Sequence, residues 1–172
     1  MRNSTIATDV NNIKDTDDAE VLLTNKNNEL QFNDGWFRRY WSNGNLRYEW
    51  EYKDGKRVDG LSYGYYEDGK IKTSIEWKDG KVDGYRTEYW ESGNKLQKIH
   101  QKQYNNKGIG AMDGVFHHGP YTCWHETGEI EQRGIRVNGK EEGLKIWYNR
   151  DGTIQSEEIW EDNKLVSKTL CS

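Results

Sequence analysis

Apolar and polar residues alternate along most of the chain in short runs that turn residues separate. Between residues 46 and 52, Leu46, Tyr48, Trp50 and Tyr52 are apolar or aromatic, while two of the three residues between them are glutamates and one is an arginine. A period of two is typical of β-strands, whose successive side chains point to opposite faces of a sheet. The same alternation returns between residues 71 and 77. The pattern therefore predicts short strands.

Glycines divide these strands into five copies of one unit. The first glycine of each unit is Gly35, Gly60, Gly84, Gly119 and Gly143. A second glycine follows nine residues later, at Gly44, Gly69, Gly93, Gly128 and Gly152. An aromatic residue lies five positions after the first glycine, at Tyr40, Tyr65, Tyr89, Trp124 and Tyr148. A period of about 24 residues indicates a stacked repeat array with an extended surface.

Each unit reads as strand, turn, strand and turn. Asn-Gly and Asp-Gly pairs, such as Asn43-Gly44 and Asp79-Gly80, supply the positive φ that tight hairpins need. A glycine about every ten residues disfavours helix within the array. We therefore predict an all-β fold of stacked β-hairpin repeats that form one elongated, twisted antiparallel sheet.

The same pattern predicts the domain organisation. Residues 1–19 are polar and acidic without periodicity, which indicates a flexible arm, and residues 20–33 are predicted to form a capping hairpin. Residues 34–172 would hold the five repeats. Gly84 and Gly119 lie 35 residues apart, so an insertion is predicted at about 104–118. It either lengthens a hairpin or forms a projecting loop.

Composition changes the expected core. With eight Trp and eleven Tyr, aromatic rings are expected to replace aliphatic side chains as the buried material. The recurring positions predict one ladder of core residues along one side of the sheet. This ladder contains Trp36, Tyr40, Tyr48, Trp50, Leu61, Tyr63, Tyr65, Ile71, Ile75, Trp77, Tyr85, Tyr89, Trp124, Leu144, Ile146 and Tyr148.

The net charge and a search for targeting signals limit the classes of protein that fit this sequence. The net charge is −4 and basic residues form no block, which argues against binding to nucleic acid. The N-terminal residues lack the apolar segment of a signal peptide, and no apolar run reaches membrane-spanning length. Cys123 and Cys171 lack metal-ligand spacing and read as free thiols. We therefore expect a cytoplasmic protein.

No catalytic constellation is visible, so we expect a protein that is not an enzyme and needs no cofactor. His117, His118, Cys123 and His125 do not have the spacing of a zinc site. Carboxylates occur mid-strand, where a facing pair could hydrolyse a glycoside. They recur with the strand period beside Lys and Arg, however, which favours cross-strand ion pairs.

The second side of the sheet is the predicted partner-binding surface. Aromatic residues beside Arg on a polar face are typical of protein-binding hot spots. The alternative, that these rings shield the sheet beneath Lys and Arg stems, stays open. The predicted binding residues are Phe37, Arg39, Trp41, Tyr66, Arg86, Trp90, His117, His118, His125 and Trp147.

The string DGWFRRYWSNGNLRYEWEYKDGKRVDG, at residues 34–60, resembles the MORN-variant repeats of bacterial YwqK-like antitoxins. It departs from the usual Gly-x-Gly start, because Phe37 replaces the second glycine. The resemblance implies an antitoxin or immunity protein that neutralises a toxin protein by occluding it. Two alternatives are a membrane- or phospholipid-associated scaffold, which the acidic balance disfavours, and a carbohydrate-binding ribbon. The oligomeric state is left open.

Overall fold

A computed structural model describes residues 23–24, 30–31, 34–54, 56–104 and 114–171. The arm predicted at residues 1–19 lies outside this part of the chain. Every helix or strand assigned to the described residues is a strand, which confirms the predicted all-β fold.

The strands follow the predicted repeats. The first two are β1 (Leu23–Thr24) and β2 (Leu30–Gln31). The first two repeats contain β3 (Gly35–Tyr40), β4 (Leu46–Lys53), β5 (Lys56–Arg57), β6 (Gly60–Tyr65) and β7 (Ile71–Lys78). The next two contain β8 (Lys81–Tyr89), β9 (Lys95–Tyr104), β10 (Gly114–Trp124) and β11 (Ile130–Val137). The last strands are β12 (Lys140–Tyr148), β13 (Ile154–Glu161) and β14 (Lys164–Leu170).

Strands β3 to β14 form one open antiparallel sheet of 12 strands, in which neighbours in sequence are neighbours in space. Short β5 is off the main path and pairs with β4. The predicted sheet of stacked hairpins is thereby confirmed. Strands β1 and β2 pair in a separate sheet at the place of the predicted capping hairpin. Its capping role stays a prediction.

The two edges of the sheet use different turns. At one edge, the amide of Gly44 donates to the carbonyl of Trp41 over 2.9 Å, and the amide of Trp41 donates to Asn45 over 2.7 Å. The same three-residue turn recurs in all five repeats. At the other edge, Asp79 and Gly80 have φ of 51° and 72°, which makes a two-residue type I′ hairpin. The conformation predicted for Asp-Gly turns is confirmed there.

Part of the predicted insertion extends a hairpin. Strands β9 and β10 are 10 and 11 residues long, and residues 114–118 belong to β10. Residues 105–113 lie outside the part of the chain that the structure describes.

The sheet has two unlike faces. The packed face, identified by Phe37, Trp50 and Tyr52, also carries the buried apolar residues Val82, Ile99 and Tyr121. The open face carries Trp36 and Glu51, which lie opposite each other in the β3–β4 register.

The predicted core ladder is wrong in its choice of face for several members. Trp50 lies opposite Phe37, whereas Trp36 is on the open face and 53% exposed. The cause is a β-bulge: Arg39 pairs with Tyr48 and Tyr40 with Leu46, which leaves Arg47 as an extra residue. One extra residue changes the face on which every side chain beyond it lies. Counting along the two strands from the turn without this bulge therefore places Trp36 opposite Trp50, on the same face.

Candidate functional site

The predicted binding residues do not form one surface, and five of them lie on the packed face: Phe37, Arg39, Arg86, His117 and Trp147. All five already contact the chain itself. The Phe37 ring stacks on Trp50 with centroids 4.5 Å apart, and Arg39 lies over Phe37. The indole of Trp147 donates to Glu158 over 3.1 Å.

Four others form a row where the first strand of each repeat ends: Trp41, Tyr66, Trp90 and His125. The row links consecutive repeats in the first half of the array. Trp41 Nε1 donates to the carbonyl of Tyr65 over 3.1 Å, and the Tyr66 hydroxyl donates to the carbonyl of Tyr89 over 2.6 Å. Burial, and then the nearby carboxylates, raise the pKa of Tyr66.

The two adjacent histidines have different hydrogen-bond partners. His117 Nδ1 accepts a hydrogen bond from Arg136 over 2.8 Å, and burial followed by the charge of Arg136 lowers the pKa of His117. His118 Nδ1 lies 3.2 Å from the side-chain oxygen of Asn138. The ten predicted residues therefore occupy separate regions, and their part in binding stays a prediction.

The open face carries a row that the sequence analysis assigned mostly to the core. It consists of the residue that directly follows each first glycine. We call this row the ridge: Trp36, Leu61, Tyr85, Pro120 and Leu144. Leu61 is 51% exposed and Leu144 is 43% exposed. Large apolar side chains that recur on an exposed face indicate an interaction surface.

Bulges lie beside three of the first glycines, Gly84, Gly119 and Gly143. Between β7 and β8, Ile75 pairs with Arg86 and Trp77 with Val82, so β8 has extra residues around Gly84. Gly84 has a φ of 147°, which side-chain-bearing residues rarely adopt. Such bulges bend the strand and re-aim the next side chain. The sequence signal, an apolar residue after each first glycine, was present but assigned to the wrong side.

The ridge is most apolar in the C-terminal half of the sheet. Pro120 lies opposite Ile135, and Leu144 lies opposite Ile159. Ile135 and Ile159 are 45% and 39% exposed. In the N-terminal half, Trp36 and Leu61 instead lie opposite glutamates. One ridge residue on every second strand gives a spacing of about 10 Å.

The polar groups on the packed face are arranged for stability. Arg136 donates to Glu141 Oε1 through Nε and Nη2 over 2.9 and 2.8 Å, and the Tyr121 hydroxyl donates to Glu141 over 3.0 Å. Burial, reinforced by Glu141, raises the pKa of Tyr121. Burial also raises the pKa of the Cys123 thiol to about 11, so this thiol is not an activated nucleophile.

Among the described residues, no group of three or more His, Cys, Asp or Glu could hold a metal ion. The same residues include no helix long and apolar enough to cross a bilayer.

The family model of the MORN repeat variant matches residues 33–54 and 58–79. These segments correspond to the β3–β4 and β6–β7 hairpins, the first two of the five repeats. MORN repeats generally bind proteins or membranes and are typically non-catalytic. A comparison with curated proteins found no significant match.

Proposed function

We propose that the protein is a non-catalytic binding protein whose partner is another protein, and that the ridge is the docking surface. The observation that carries this proposal is the recurrence of exposed apolar side chains at one position in four of the five repeats: Trp36, Leu61, Pro120 and Leu144. A partner that follows the ridge meets one of them about every 10 Å. Burial of these side chains would supply the main attraction.

Charge favours a protein partner over the alternatives. Glu51 and Glu76 flank the ridge in its N-terminal half, and the net charge is −4. An anionic lipid surface attracts basic patches and would be repelled here. The aliphatic residues and proline of the C-terminal half lack the ring faces on which sugars stack. The carbohydrate-binding alternative therefore finds less support than a protein partner.

The specific role we propose is that of a cytoplasmic antitoxin or immunity protein. It would cover a toxin's active site or substrate groove, which requires no chemistry of its own. A basic toxin would be attracted by the acidic balance of the chain, which would speed the encounter. The predicted binding residues, such as Phe37, Trp41 and Trp90, lie in separate regions and are retained as further candidate contacts.

The ridge is tested with the double variant Leu144→Ser and Ile159→Ser. A protein recovered by the wild type in its native cell is purified, and its affinity for each form is measured by calorimetry. We expect at least a tenfold loss in affinity and a small change in melting temperature. The matched control is Val166→Ser, an exposed apolar residue off the ridge at 56% exposure.

Unchanged affinity in the double variant would exclude the ridge. Liposome sedimentation and a glycan array test the two alternative classes directly. Rescue of growth when the chain is co-expressed with the purified partner's gene tests the antitoxin role, and a partner without toxicity would exclude that role.

A further inference from the structure

Each repeat contains one extra residue at a β-bulge. This residue lies six positions after the residue that directly follows the recurring aromatic residue. In the first repeat these two positions are Trp41 and Arg47. The equivalent pairs are Tyr66 with Lys72, Trp90 with Leu96, His125 with Glu131, and Asn149 with Gln155.

The first two repeats place their own cation over the ring. The guanidinium carbon of Arg47 lies 4.4 Å from the centre of the Trp41 ring. The Lys72 ammonium lies 5.2 Å from the centre of Tyr66. Such cation–π contacts stabilise both partners when water is partly excluded.

The third repeat breaks this rule. Leu96 occupies the position of the cation, and none of the cation–π contacts among the described residues involves Trp90. The link to the next repeat also differs. Trp41 and Tyr66 each donate to the following repeat, whereas the buried Trp90 Nε1 has no hydrogen-bond partner among the described residues.

An open cavity of about 480 Å³ lies at this junction of the third and fourth repeats. Its walls include Trp90, Trp124, His125, Glu126, Glu131 and Arg150. Arg150 is the one permanently charged cation beside two carboxylates, so the lining has an excess negative charge. Glu131 also takes the position that a cation holds in the first two repeats.

We propose that this cavity binds a guanidinium or ammonium group from another molecule. The group would lie over Trp90, as Arg47 lies over Trp41, and would pair with Glu126 and Glu131. Its source is either a basic side chain of a partner protein or a free small polycation. The first source extends the proposed function, but the cavity does not require the ridge.

The test is a titration followed by NMR of the Trp90 indole N–H. The probes are N-acetyl-arginine amide, a short Arg-containing peptide, spermidine and, as an uncharged match, N-acetyl-citrulline amide. We expect the arginine probe to shift the Trp90 signal at concentrations at least tenfold below the citrulline probe. Equal responses to both would overturn the proposal.

The sharpest variant is Leu96→Arg, which restores the cation found in the first two repeats and should fill the cavity. We expect it to weaken binding of the arginine probe at least tenfold. The matched control is Gln155→Arg, the same position in the fifth repeat with the same added charge, and it should bind as the wild type does. Full binding by Leu96→Arg would overturn the proposal.

Glu131→Gln gives a second test should Leu96→Arg fail to fold, because it removes a carboxylate without adding bulk. We expect a several-fold loss of arginine binding, and no loss would overturn the proposal. Tighter binding of the peptide than of spermidine assigns the cavity to a protein side chain. The reverse order assigns it to a free polycation, and both orders support the cation site. The NMR titration does not depend on the ridge. An unchanged partner affinity of the double variant Leu144→Ser and Ile159→Ser would therefore leave its interpretation as it is.

Discussion

Glu158 shows how a single residue can secure the end of the array. Its side chain lies on the packed face and is only 6% exposed. It accepts hydrogen bonds from Trp147 Nε1 and Trp160 Nε1 over 3.1 Å each, and from Lys168 Nζ over 2.9 Å. These donors come from three neighbouring strands, β12, β13 and β14. One carboxylate therefore ties three strands together.

The stability of the fold should depend on pH through the ionisation of the Glu158 carboxylate. Burial acts to raise the pKa of Glu158, but the hydrogen bonds from Lys168, Trp147 and Trp160 together hold it below the usual value of 4.5. A lowered pKa in the folded state stabilises the fold above pH 4.5, and this contribution is lost as the pH falls through the folded pKa. We expect Glu158→Gln to unfold more easily at pH 7 by about 2 kcal/mol.

Urea unfolding at pH 7 and at pH 3 measures this effect. The difference between wild type and Glu158→Gln should shrink at the lower pH, because the wild-type carboxylate is then becoming protonated. Glu157→Gln, on the opposite face, is the matched control. A difference that stays constant between the two pH values would contradict this account.

At the scale of the strand and turn, neighbouring elements meet through side chains that occur at fixed positions. The residue before the first glycine accepts from a turn amide twenty residues later. Asp34 accepts from the amide of Asp54 over 2.7 Å, and Asp59 accepts from Asp79 over 2.7 Å. In the last repeat Glu142 accepts from Asp162 over 3.0 Å. The recurring acid thus fixes the two-residue turn at the end of the next strand.

The close approach of β10 and β11 depends on a glycine. A Cβ atom on Gly134 would lie 2.7 to 2.8 Å from the ring and hydroxyl of Tyr121. We expect Gly134→Ala to destabilise the fold by about 1–3 kcal/mol, because the buried ring must move. Chemical denaturation measures the change. Gly114→Ala is the control, since its nearest neighbour would be at an ordinary 3.5 Å, and equal effects of both substitutions would contradict the explanation.

Sequence reasoning succeeded where the local chemistry decides the outcome. Asp79-Gly80 predicts a tight turn because both positions need positive φ, and the structure has it at both residues. At Asn43-Gly44 only the glycine has positive φ, because that turn has three residues. The faces of the sheet were harder. A single extra residue, Arg47, reverses the facing of Trp36, and alternation alone does not reveal where a bulge occurs. The ridge and the cavity beside Trp90 both depend on such bulges, which explains why sequence reasoning missed them as surfaces.

On the scale of the whole molecule, and with short β5 set aside, each strand of the main sheet pairs only with the strands before and after it. Stability in such an array is close to a sum of local terms and nearest-neighbour contacts. Damage at one repeat should therefore spread only to adjacent strands.

Hydrogen exchange of the variant Asp59→Ala tests this locality. We expect faster amide exchange in β6 to β8, corresponding to a loss of about 1 kcal/mol in local stability, because the Asp79 amide loses its acceptor. Protection in β12 to β14 should not change. Asp59→Asn keeps an acceptor oxygen and is the control. Uniformly faster exchange along the chain would show that the sheet opens as a single unit.

The bulge pairs have a consequence for how such a molecule can diversify. From one repeat to the next the pair changes from Trp and Arg to Tyr and Lys, Trp and Leu, His and Glu, and Asn and Gln, while the turn beside it is unchanged. Five different pairs of side chains therefore occupy the same two positions beside the same turn. Exchanging a single pair would change the side chains that one unit presents while its turn stays the same, so the surface of the array can change one unit at a time.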